Sequence, residues 1–269
     1  MPIAVGVMVR RIKDKIYAEV GHLDLKTGDR VIAETEHGLE AGIVYEREKN
    51  IAKGKDPIGK VIRKITEDDK KKLVDNEARN VKAHAIVIEK ADDHELDMKL
   101  TCVQYTFDRS KLFVYYTSET RVDFRELIKD LGHILKTRIQ MVQIGVRDES
   151  KMVGGIGTCG QVLCCQSFLK DFSSVTIDMA KEQDLSLNTT KLSGLCGRLM
   201  CCIAYENEHY INVKKDLPEI GDMIYTPEGK AKFAAIDCIK ETITADLGNR
   251  EFKTYSIEEI KNKNKKDKK

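Results

Sequence analysis

The chain has 269 residues, enough for two or three small domains or one large domain with a buried core. Hydrophobic residues make up 41% and charged residues 33%, a balance typical of soluble globular proteins. No apolar run approaches the roughly 18 residues that a membrane span needs, and the first residues, "MPIAVGVMVRRIKDK", lack the layout of a signal peptide. We therefore expect a cytoplasmic protein whose thiols stay reduced.

Charge is distributed unevenly along the chain. The formal net charge is +2, yet residues 261–269 alone hold six lysines and one aspartate, so the remainder is slightly acidic. We expect this basic tail to be a disordered, solvated end. The alternative is a weak, salt-sensitive contact with RNA or an acidic partner.

The first fifty residues are rich in short, β-branched runs separated by turn signals, which predicts a small β-barrel over residues 1–62. Its phrase "TGDRVIAETEHGLEAGIV", from Thr27, returns near the other end as "IGDMIYTPEGKAKFAAI", from Ile220. In both phrases a Gly-Asp pair is followed by a predicted strand, a tight turn and a second predicted strand. We predict an SH3-like barrel over residues 213–260, a fold that serves too many purposes to indicate a function.

Residues 63–150 predict an α+β unit. A helix begins near Thr66 with acidic residues in its first turn. Two strands, a second amphipathic helix and a third strand follow. The fold class of the whole chain is therefore predicted as α+β. Apolar residues of the first helix recur at helical spacing and predict its apolar face: Leu73, Val74, Ala78, Val81 and Ala85.

Two cysteine-rich phrases dominate residues 151–212, namely "GTCGQVLCCQ" from Gly157 and "GLCGRLMCCI" from Gly194. Six reduced thiols in matching phrases favour a metal or cluster site over a disulfide framework. Cys102 and Cys238 stand alone in predicted strands and are interpreted as core residues. The candidate ligands are Cys159, Cys164, Cys165, Cys196, Cys201 and Cys202.

The residues around these cysteines suit metal binding. Gly160 and Gly197 directly follow the first cysteine of each phrase and permit backbone geometries that bring N–H groups close to sulfur. A helix is predicted to start next, and its dipole favours the thiolate that ligates metal. The apolar stripes of these helices are predicted at Val162, Cys165, Phe168, Leu169 and Phe172, and at Leu199, Cys202 and Ile203.

The spacing Cys-x4-Cys-Cys favours an iron–sulfur cluster, with zinc as the lesser alternative, because zinc sites commonly use tighter pairs and neither phrase contains histidine. Two ligand models stay open. In one, Cys165 and Cys202 pack in the core and the other four cysteines form one site. In the other, which we prefer, all six cysteines ligate, three per phrase, and a partner protein completes each cluster.

Two other function classes are weaker. A redox-active thiol enzyme needs a base, and His209, the nearest histidine, lies seven residues past Cys202 with no nucleophile–base signature. A nucleic-acid-binding module acting alone, stabilised by zinc or a cluster, is suggested by the two barrel-like ends and the basic tail. His133, beside the apolar face of the second helix, is interpreted as a surface or core-edge residue.

The run from Gly154 to Tyr210, "GGIGTCGQVLCCQSFLKDFSSVTIDMAKEQDLSLNTTKLSGLCGRLMCCIAYENEHY", closely resembles the cysteine-rich core of the bacterial RicT (YaaT) family, which carries a Psp-one C-terminal domain. The likeness extends over nearly the whole chain. One departure is Thr189, where relatives usually have proline; this substitution predicts a more mobile approach to the second phrase.

The resemblance implies a regulator and not an enzyme. Family members form a complex with YlbF- and YmcA-type helical proteins, and that complex carries 4Fe-4S clusters. It acts as a specificity factor for the membrane-associated endoribonuclease Y in messenger RNA processing, and so affects competence, biofilm formation and sporulation. The resemblance also implies that the same six cysteines bind the cluster and that the nuclease recruits the chain to the membrane.

Overall fold

A computed structural model describes residues 3–9, 14–50, 59–169, 171–215, 217–248 and 251–266. The chain divides into two compact units, Met1–Phe168 and Leu169–Lys269. The strands are β1 (Ile3–Val9), β2 (Asp14–Glu19), β3 (Arg30–Thr35), β4 (Gly38–Asn50), β5 (Gly59–Lys64), β6 (Lys99–Tyr105), β7 (Lys111–Thr117), β8 (Arg138–Gln143), β9 (Met223–Thr226), β10 (Gly229–Asp237), β11 (Thr242–Asp246) and β12 (Phe252–Ser256). The helices are α1 (Glu67–Asp93), α2 (Arg125–Leu135), α3 (Val146–Val153), α4 (Cys164–Ser167), α5 (Ile177–Glu182), α6 (Thr189–Leu192), α7 (Cys201–Lys214) and α8 (Ile257–Lys266).

Strands β1 to β5 form a closed barrel in the order β1-β2-β5-β3-β4. Alternate residues of these strands point inward, because side chains along a strand alternate between its two faces. The structure thus contains a closed five-stranded barrel. The N-terminal barrel layout predicted over residues 1–62 stays a prediction, and the sequence pattern did not reveal β5. Buried aliphatic side chains fill its interior: Val5, Val7, Val9, Ile16, Ala18, Val20, Leu25, Val31, Val44 and Val61.

A three-stranded sheet in the order β6-β7-β8 follows the barrel in the first unit. Strands β6 and β7 pair antiparallel, while β8 pairs parallel to β7 after the connection through α2. Leu127 and Leu131 of α2 are buried against this sheet, as predicted. The α+β class is therefore confirmed, and the strand–strand–helix–strand order is the one the sequence indicated.

Helix α1 begins as predicted but buries a different face. Thr66 and Asp69 form a reciprocal capping box at its start. The apolar face predicted from periodicity is wrong, since Val74 and Val81 are 72% and 66% exposed. The buried face carries polar as well as small apolar residues, because asparagine side chains hydrogen-bond to the backbone of β6 and the turn after it. Its members are Asp69, Asn76, Asn80, Ala83, Val87 and Ala91.

The second unit contains an antiparallel sheet in the order β12-β11-β10-β9. Its core also includes Ile257 and Ile260 of α8. The classification of this sheet as an SH3-like barrel stays a prediction. Because α8 extends to Lys266, residues 261–266 of the predicted disordered tail are helical, and residues 267–269 lie outside the described residues.

The repeated Gly-Asp phrase is also a repeat in structure. The carboxylate of Asp29 accepts from the N–H of Lys26, and that of Asp222 accepts from the N–H of Glu219, each at 3.0 Å. The backbone carbonyl of each aspartate also accepts from the second strand of the hairpin that follows it. The N–H of Val44 donates to Asp29 at 2.9 Å, and the N–H of Phe233 donates to Asp222 at 2.8 Å. The two phrases therefore specify the same turn in separate sheets.

None of the helices within the described residues combines the length and apolar character that a membrane span requires. The division into five parts predicted from the sequence (1–62, 63–150, 151–212, 213–260 and 261–269) stays a prediction. The boundary between the two compact units falls between Phe168 and Leu169, inside the predicted cysteine-rich part.

Candidate functional site

Each compact unit carries one cysteine-rich phrase. The first motif, residues 157–165, follows α3 and ends in the first turn of α4, at the end of the first unit. The second motif, residues 194–202, follows α6 and ends in the first turn of α7, in the second unit. The two copies of the sequence therefore lie in different compact units.

The first motif folds into a tight hairpin. The N–H of Gly157 donates to the carbonyl of Gln161 at 2.8 Å, and the N–H of Gly160 donates to the carbonyl of Gly157 at 2.9 Å. Ile156 and Val162 pair as an antiparallel bridge below the turn. Cys159 therefore lies at the tip of the hairpin, where its side chain is exposed.

The second motif repeats this hairpin bond for bond. The N–H of Gly194 donates to the carbonyl of Arg198 at 2.8 Å, and the N–H of Gly197 donates to the carbonyl of Gly194 at 2.9 Å. Ser193 and Leu199 form the bridge below the turn. The same backbone conformation thus arises twice from nine-residue segments of which five positions are identical.

Glycine is required at one position of each hairpin. Gly160 and Gly197 have φ of 78° and 73°, the left-handed region that residues with a Cβ rarely adopt. The first glycine of each turn is different: a Cβ at Gly157 would stand 3.4 Å from the Sγ of Cys159, and a Cβ at Gly194 would stand 3.8 Å from the Sγ of Cys196. These are ordinary van der Waals distances, so a small side chain fits at either position.

A helix follows each hairpin, as predicted, and the adjacent cysteine pair occupies its first two positions. Leu163 and Met200 precede the helices with extended ψ of 131° in both cases. Helix α7 continues to Lys214, but α4 ends at Ser167 after four residues. The long apolar stripe predicted for the first motif is therefore wrong: Val162 and Phe168 are 53% and 54% exposed, because the helix stops before a stripe can form.

The six candidate thiols differ in burial. Cys165 is buried, Cys159 is exposed, and the other four are half-buried. Within the described residues, no three histidine, cysteine, aspartate or glutamate side chains lie together in a group that could hold a metal ion. Cysteine thiolates are the usual ligands of iron–sulfur clusters, so the residue type fits such a cluster. Each hairpin, however, carries three cysteines, one fewer than the four ligands of a cubane cluster. Which cysteines ligate stays a prediction.

The two isolated cysteines behave as predicted. Cys102 and Cys238 are 7% and 5% exposed. Burial raises the pKa of the Cys238 thiol, which disfavours the thiolate that metals need. His209 bonds to the carbonyl of Cys238 at 3.1 Å, and His133 is exposed, so neither histidine faces a thiol nucleophile in the described contacts.

The second motif has a buried polar support that the sequence did not reveal. The Nε2 of Gln183, at the end of α5, donates to the carbonyl of Ile203 at 2.6 Å and to the side chain of Asn207 at 3.3 Å. Gln183 and Asn207 are both buried, and so fix the first turns of α7. A lone glutamine in a short helix gives no sequence signal for this role.

Exposed apolar side chains surround the first hairpin. Val153, Ile156, Val162 and Phe168 are each more than half exposed, from 53% to 73%. Near the second hairpin, Leu195 is 62% exposed. Clusters of exposed apolar residues are uncommon on monomeric proteins and often mark contact surfaces.

The PSP1 C-terminal conserved region matches residues 59–144, and the third domain of PSP1-like proteins matches residues 174–217. The chain is 46% identical over 259 residues to the stage 0 sporulation protein YaaT of Bacillus subtilis, covering 95% of this chain and 94% of that protein. The chain belongs to the YaaT family. This confirms the family resemblance of the cysteine-rich run.

Eukaryotic relatives match only a part of this YaaT family chain. An uncharacterized protein of Schizosaccharomyces pombe is 32% identical over 85 residues, which cover 32% of this chain and 11% of that protein. Protein PSP1 of Saccharomyces cerevisiae is 46% identical over 50 residues, which cover 19% and 6%. No solved structure matches the chain.

Proposed function

We propose that this YaaT family chain is a regulatory subunit that binds iron–sulfur clusters through its two cysteine hairpins. A role connected with sporulation is proposed from the name of the Bacillus subtilis relative, with which the chain aligns along nearly its whole length. We propose no catalytic residue: the chain acts by holding a cofactor and partners, and not by turning over a substrate.

The observation that carries this proposal is the hairpin formed twice. A buried cysteine that only fills space in a core needs no particular backbone conformation around it. In both motifs, however, a left-handed glycine follows the first cysteine, the same two backbone hydrogen bonds close the turn, and a helix begins at the cysteine pair. The shared arrangement supports a shared ligand that needs sulfur atoms at fixed positions.

The ligand count supports completion of the clusters by partner proteins. A cubane cluster takes four thiolates, whereas each cysteine phrase supplies at most three. We propose that Cys159, Cys164 and Cys165 contribute to one cluster and Cys196, Cys201 and Cys202 to another. When bound, such clusters supply iron–thiolate bonds that join this chain to the protein carrying the remaining ligands.

The partners proposed from the family resemblance are YlbF- and YmcA-type helical proteins, with endoribonuclease Y as the enzyme whose messenger RNA processing is directed. Control of competence and biofilm formation, and recruitment to the membrane by the nuclease, are further parts of this proposal. The exposed apolar residues at the first hairpin, such as Val153 and Phe168, support a protein contact beside the thiols.

Anaerobic co-purification tests this proposal. The chain, with and without YlbF- and YmcA-type proteins, is analysed for iron, sulfide and visible absorbance. We expect a broad absorbance band that air bleaches, and more iron per chain in the complex than in the isolated chain. A colourless complex that contains zinc contradicts the iron–sulfur assignment, and full loading of the lone chain contradicts completion by partners.

A second candidate, a single-stranded RNA contact in the second unit, is favoured by exposed aromatic residues on the two edge strands of its sheet, β12 and β9. Phe252 is 59% exposed, and Tyr225 is 37% exposed with the Nζ of Lys230 5.2 Å from its ring centroid. Aromatic rings beside lysines on an exposed sheet are typical of surfaces that stack bases. Tight, salt-sensitive RNA binding by the lone chain, weakened by Phe252→Ala, favours this candidate.

A further inference from the structure

Helix α1 has a second apolar face, on the side that points away from its own domain. Its buried face centres on Asn76, Asn80, Ala83 and Val87. The opposite side carries an exposed stripe, which we define as Val74, Ala78, Val81, Ala85 and Ile88. In this chain Val74 is 72%, Val81 66% and Ile88 40% exposed, and both alanines are exposed as well.

The spacing of the exposed stripe is that of a coiled coil. Its members follow one another at alternating intervals of four and three residues, which places them at the a and d positions of successive heptads. The stripe spans fifteen residues, or about 22 Å of helix. The alanines occupy the a positions and the larger aliphatic residues Val74, Val81 and Ile88 occupy the d positions, so a second helix could approach closely.

The charges that flank the stripe indicate which helix fits. One flank, the g positions, carries Lys70, Glu77 and His84, and the other flank, the e positions, carries Asp75, Lys82 and Glu89. In a parallel two-stranded coil, each g residue lies beside the e residue five positions further along the other helix. For two copies of α1 this rule joins opposite charges at two steps, Lys70 with Asp75 and Glu77 with Lys82. At the third step it places the imidazole of His84 beside the carboxylate of Glu89, a polar pair without like charges.

We propose that this chain pairs with a second copy of itself through α1, as a short parallel coiled coil along the exposed stripe. The pairing surface is independent of the cysteine hairpins and of the function proposed for them. Because the buried face lies on the opposite side of α1, each copy keeps its own domain on the outer side of the pair. By symmetry each of the two charge pairs forms twice.

The antiparallel alternative fits less well. Aligning Val74 with Ala85 and Ala78 with Val81 places Ile88 opposite Lys71. This register brings Asp75 beside Lys82, a favourable pair, but it also brings Asp68 beside Glu89, two like charges. The parallel arrangement buries all five members of the stripe in matching layers and contains no such repulsive pair.

The central charge pair is the one to test. Asp75 already pairs with Arg79 and Arg109 in its own chain, so its share in a dimer contact is smaller. Glu77 and Lys82 flank Val81 in the middle of the stripe and are exposed, and Glu77 accepts a hydrogen bond from the side chain of Asn80 at 3.0 Å in its own helix. A stripe this short is smaller than a standard interface of about 1,600 Å², so we expect self-association in the micromolar range or weaker.

Sedimentation equilibrium of the full chain under reducing conditions measures this association. We expect the wild-type chain to dimerise and Val81→Asp to abolish dimerisation, since a charge would enter the seam of each helix. Glu77→Lys and Lys82→Glu should each weaken dimerisation about tenfold, because two attractive pairs become repulsive. The matched controls, Glu126→Lys and Lys129→Glu, reverse an exposed charge pair on α2 and should leave association unchanged.

Combining the two charge reversals determines whether the two helices run parallel. The double variant E77K/K82E should dimerise as the wild type does, and a mixture of the two single variants should form heterodimers, because each restores opposite charges in the parallel register. Circular dichroism confirms that every variant is folded. A wild-type chain that stays monomeric, or a dimer insensitive to Val81→Asp, overturns the pairing. If the single variants lose dimerisation and the double variant does not recover it, the parallel arrangement is overturned.

Discussion

Cys159 and Cys196 occupy equivalent positions at the tips of two hairpins with the same backbone hydrogen bonds. The residue after each is a glycine in the left-handed region, with φ of 78° and 73°. The two cysteines belong to different compact units, so the likeness arises from the local sequence and not from a common packing environment. The duplicated phrase is thus a duplicated conformation.

The left-handed glycines should be sensitive to a single added methyl group. Gly160→Ala and Gly197→Ala force a residue with a Cβ into a conformation that costs about 1 kcal/mol or more. Because nothing lies within 4 Å of the added Cβ at either site, the loss arises from the backbone and not from a clash. We expect a lower thermal unfolding temperature and reduced iron content in both variants.

Gly132→Ala provides the matched control. Gly132 lies inside α2 with no positive φ, and an added Cβ there also meets open space. Alanine should therefore stabilise the helix by about 0.5–1 kcal/mol. If all three substitutions changed stability in the same direction, the backbone argument for the hairpins would be wrong.

Local sequence signals predicted the local structure of the site well. The repeated Gly-x-Cys-Gly phrase, the helix start at each cysteine pair and the burial of Cys102 and Cys238 follow from residue types and short spacings. The length of α4 did not, because the apolar pattern continues to Phe172 whereas the helix ends at Ser167. Nor could the sequence reveal Gln183, since its partner Ile203 lies twenty residues away.

The turn before the second motif offers a stabilising substitution. Thr189 is the first residue of α6, and the side chain of Asn188 caps the helix by accepting from the N–H of Thr190 at 3.0 Å. Proline is favoured at the first helical position, and the extended backbone of Asn188, with φ of −71° and ψ of 111°, is compatible with a following proline.

Thr189→Pro should therefore stabilise the second unit by about 0.4–1 kcal/mol, mainly by restricting the unfolded chain. Thermal unfolding measures this, with Thr190→Pro as the control. Proline at residue 190 removes the N–H that Asn188 accepts, so it should destabilise. An equal response to the two substitutions contradicts the assignment of Thr189 to the first helical position.

The start of α1 should make the first unit sensitive to acid. The guanidinium of Arg63 on β5, followed by the backbone N–H of Thr66, holds the pKa of Asp69 well below its usual range. A carboxyl whose folded pKa is depressed contributes stability above its unfolded pKa of about 3.9, and that contribution is lost as pH falls further. Asp69→Asn should destabilise the protein at neutral pH, with a difference from wild type that shrinks below about pH 4.

Urea unfolding at several pH values measures this difference, and Asp123→Asn is the control. Arg125 lowers the pKa of Asp123 to about 2, but both side chains are exposed. Solvent screens exposed ion pairs, so this pair should contribute little to stability. If Asp123→Asn lost as much unfolding free energy at neutral pH as Asp69→Asn, with the same decrease in acid, burial at the start of α1 would not be what makes Asp69 important.

The apolar face of α1 shows where periodicity misleads. The pattern through Val74 and Val81 is regular, but it marks a surface stripe, because the core face of this helix uses Asn76 and Asn80 to satisfy backbone groups of the adjacent strand and turn. Periodicity identifies an apolar face and does not tell which neighbour it meets. Tertiary hydrogen bonds decided the packing in this helix.

Cofactor content after single cysteine substitutions tests the central claim most directly. Iron and sulfide are measured in chains purified anaerobically with YlbF- and YmcA-type proteins, for wild type, Cys159→Ser, Cys196→Ser and the core control Cys102→Ser. We predict that the two hairpin substitutions reduce iron and sulfide while Cys102→Ser retains them with lower stability. Unchanged iron and sulfide in both hairpin variants would contradict the proposal that these cysteines hold a cluster.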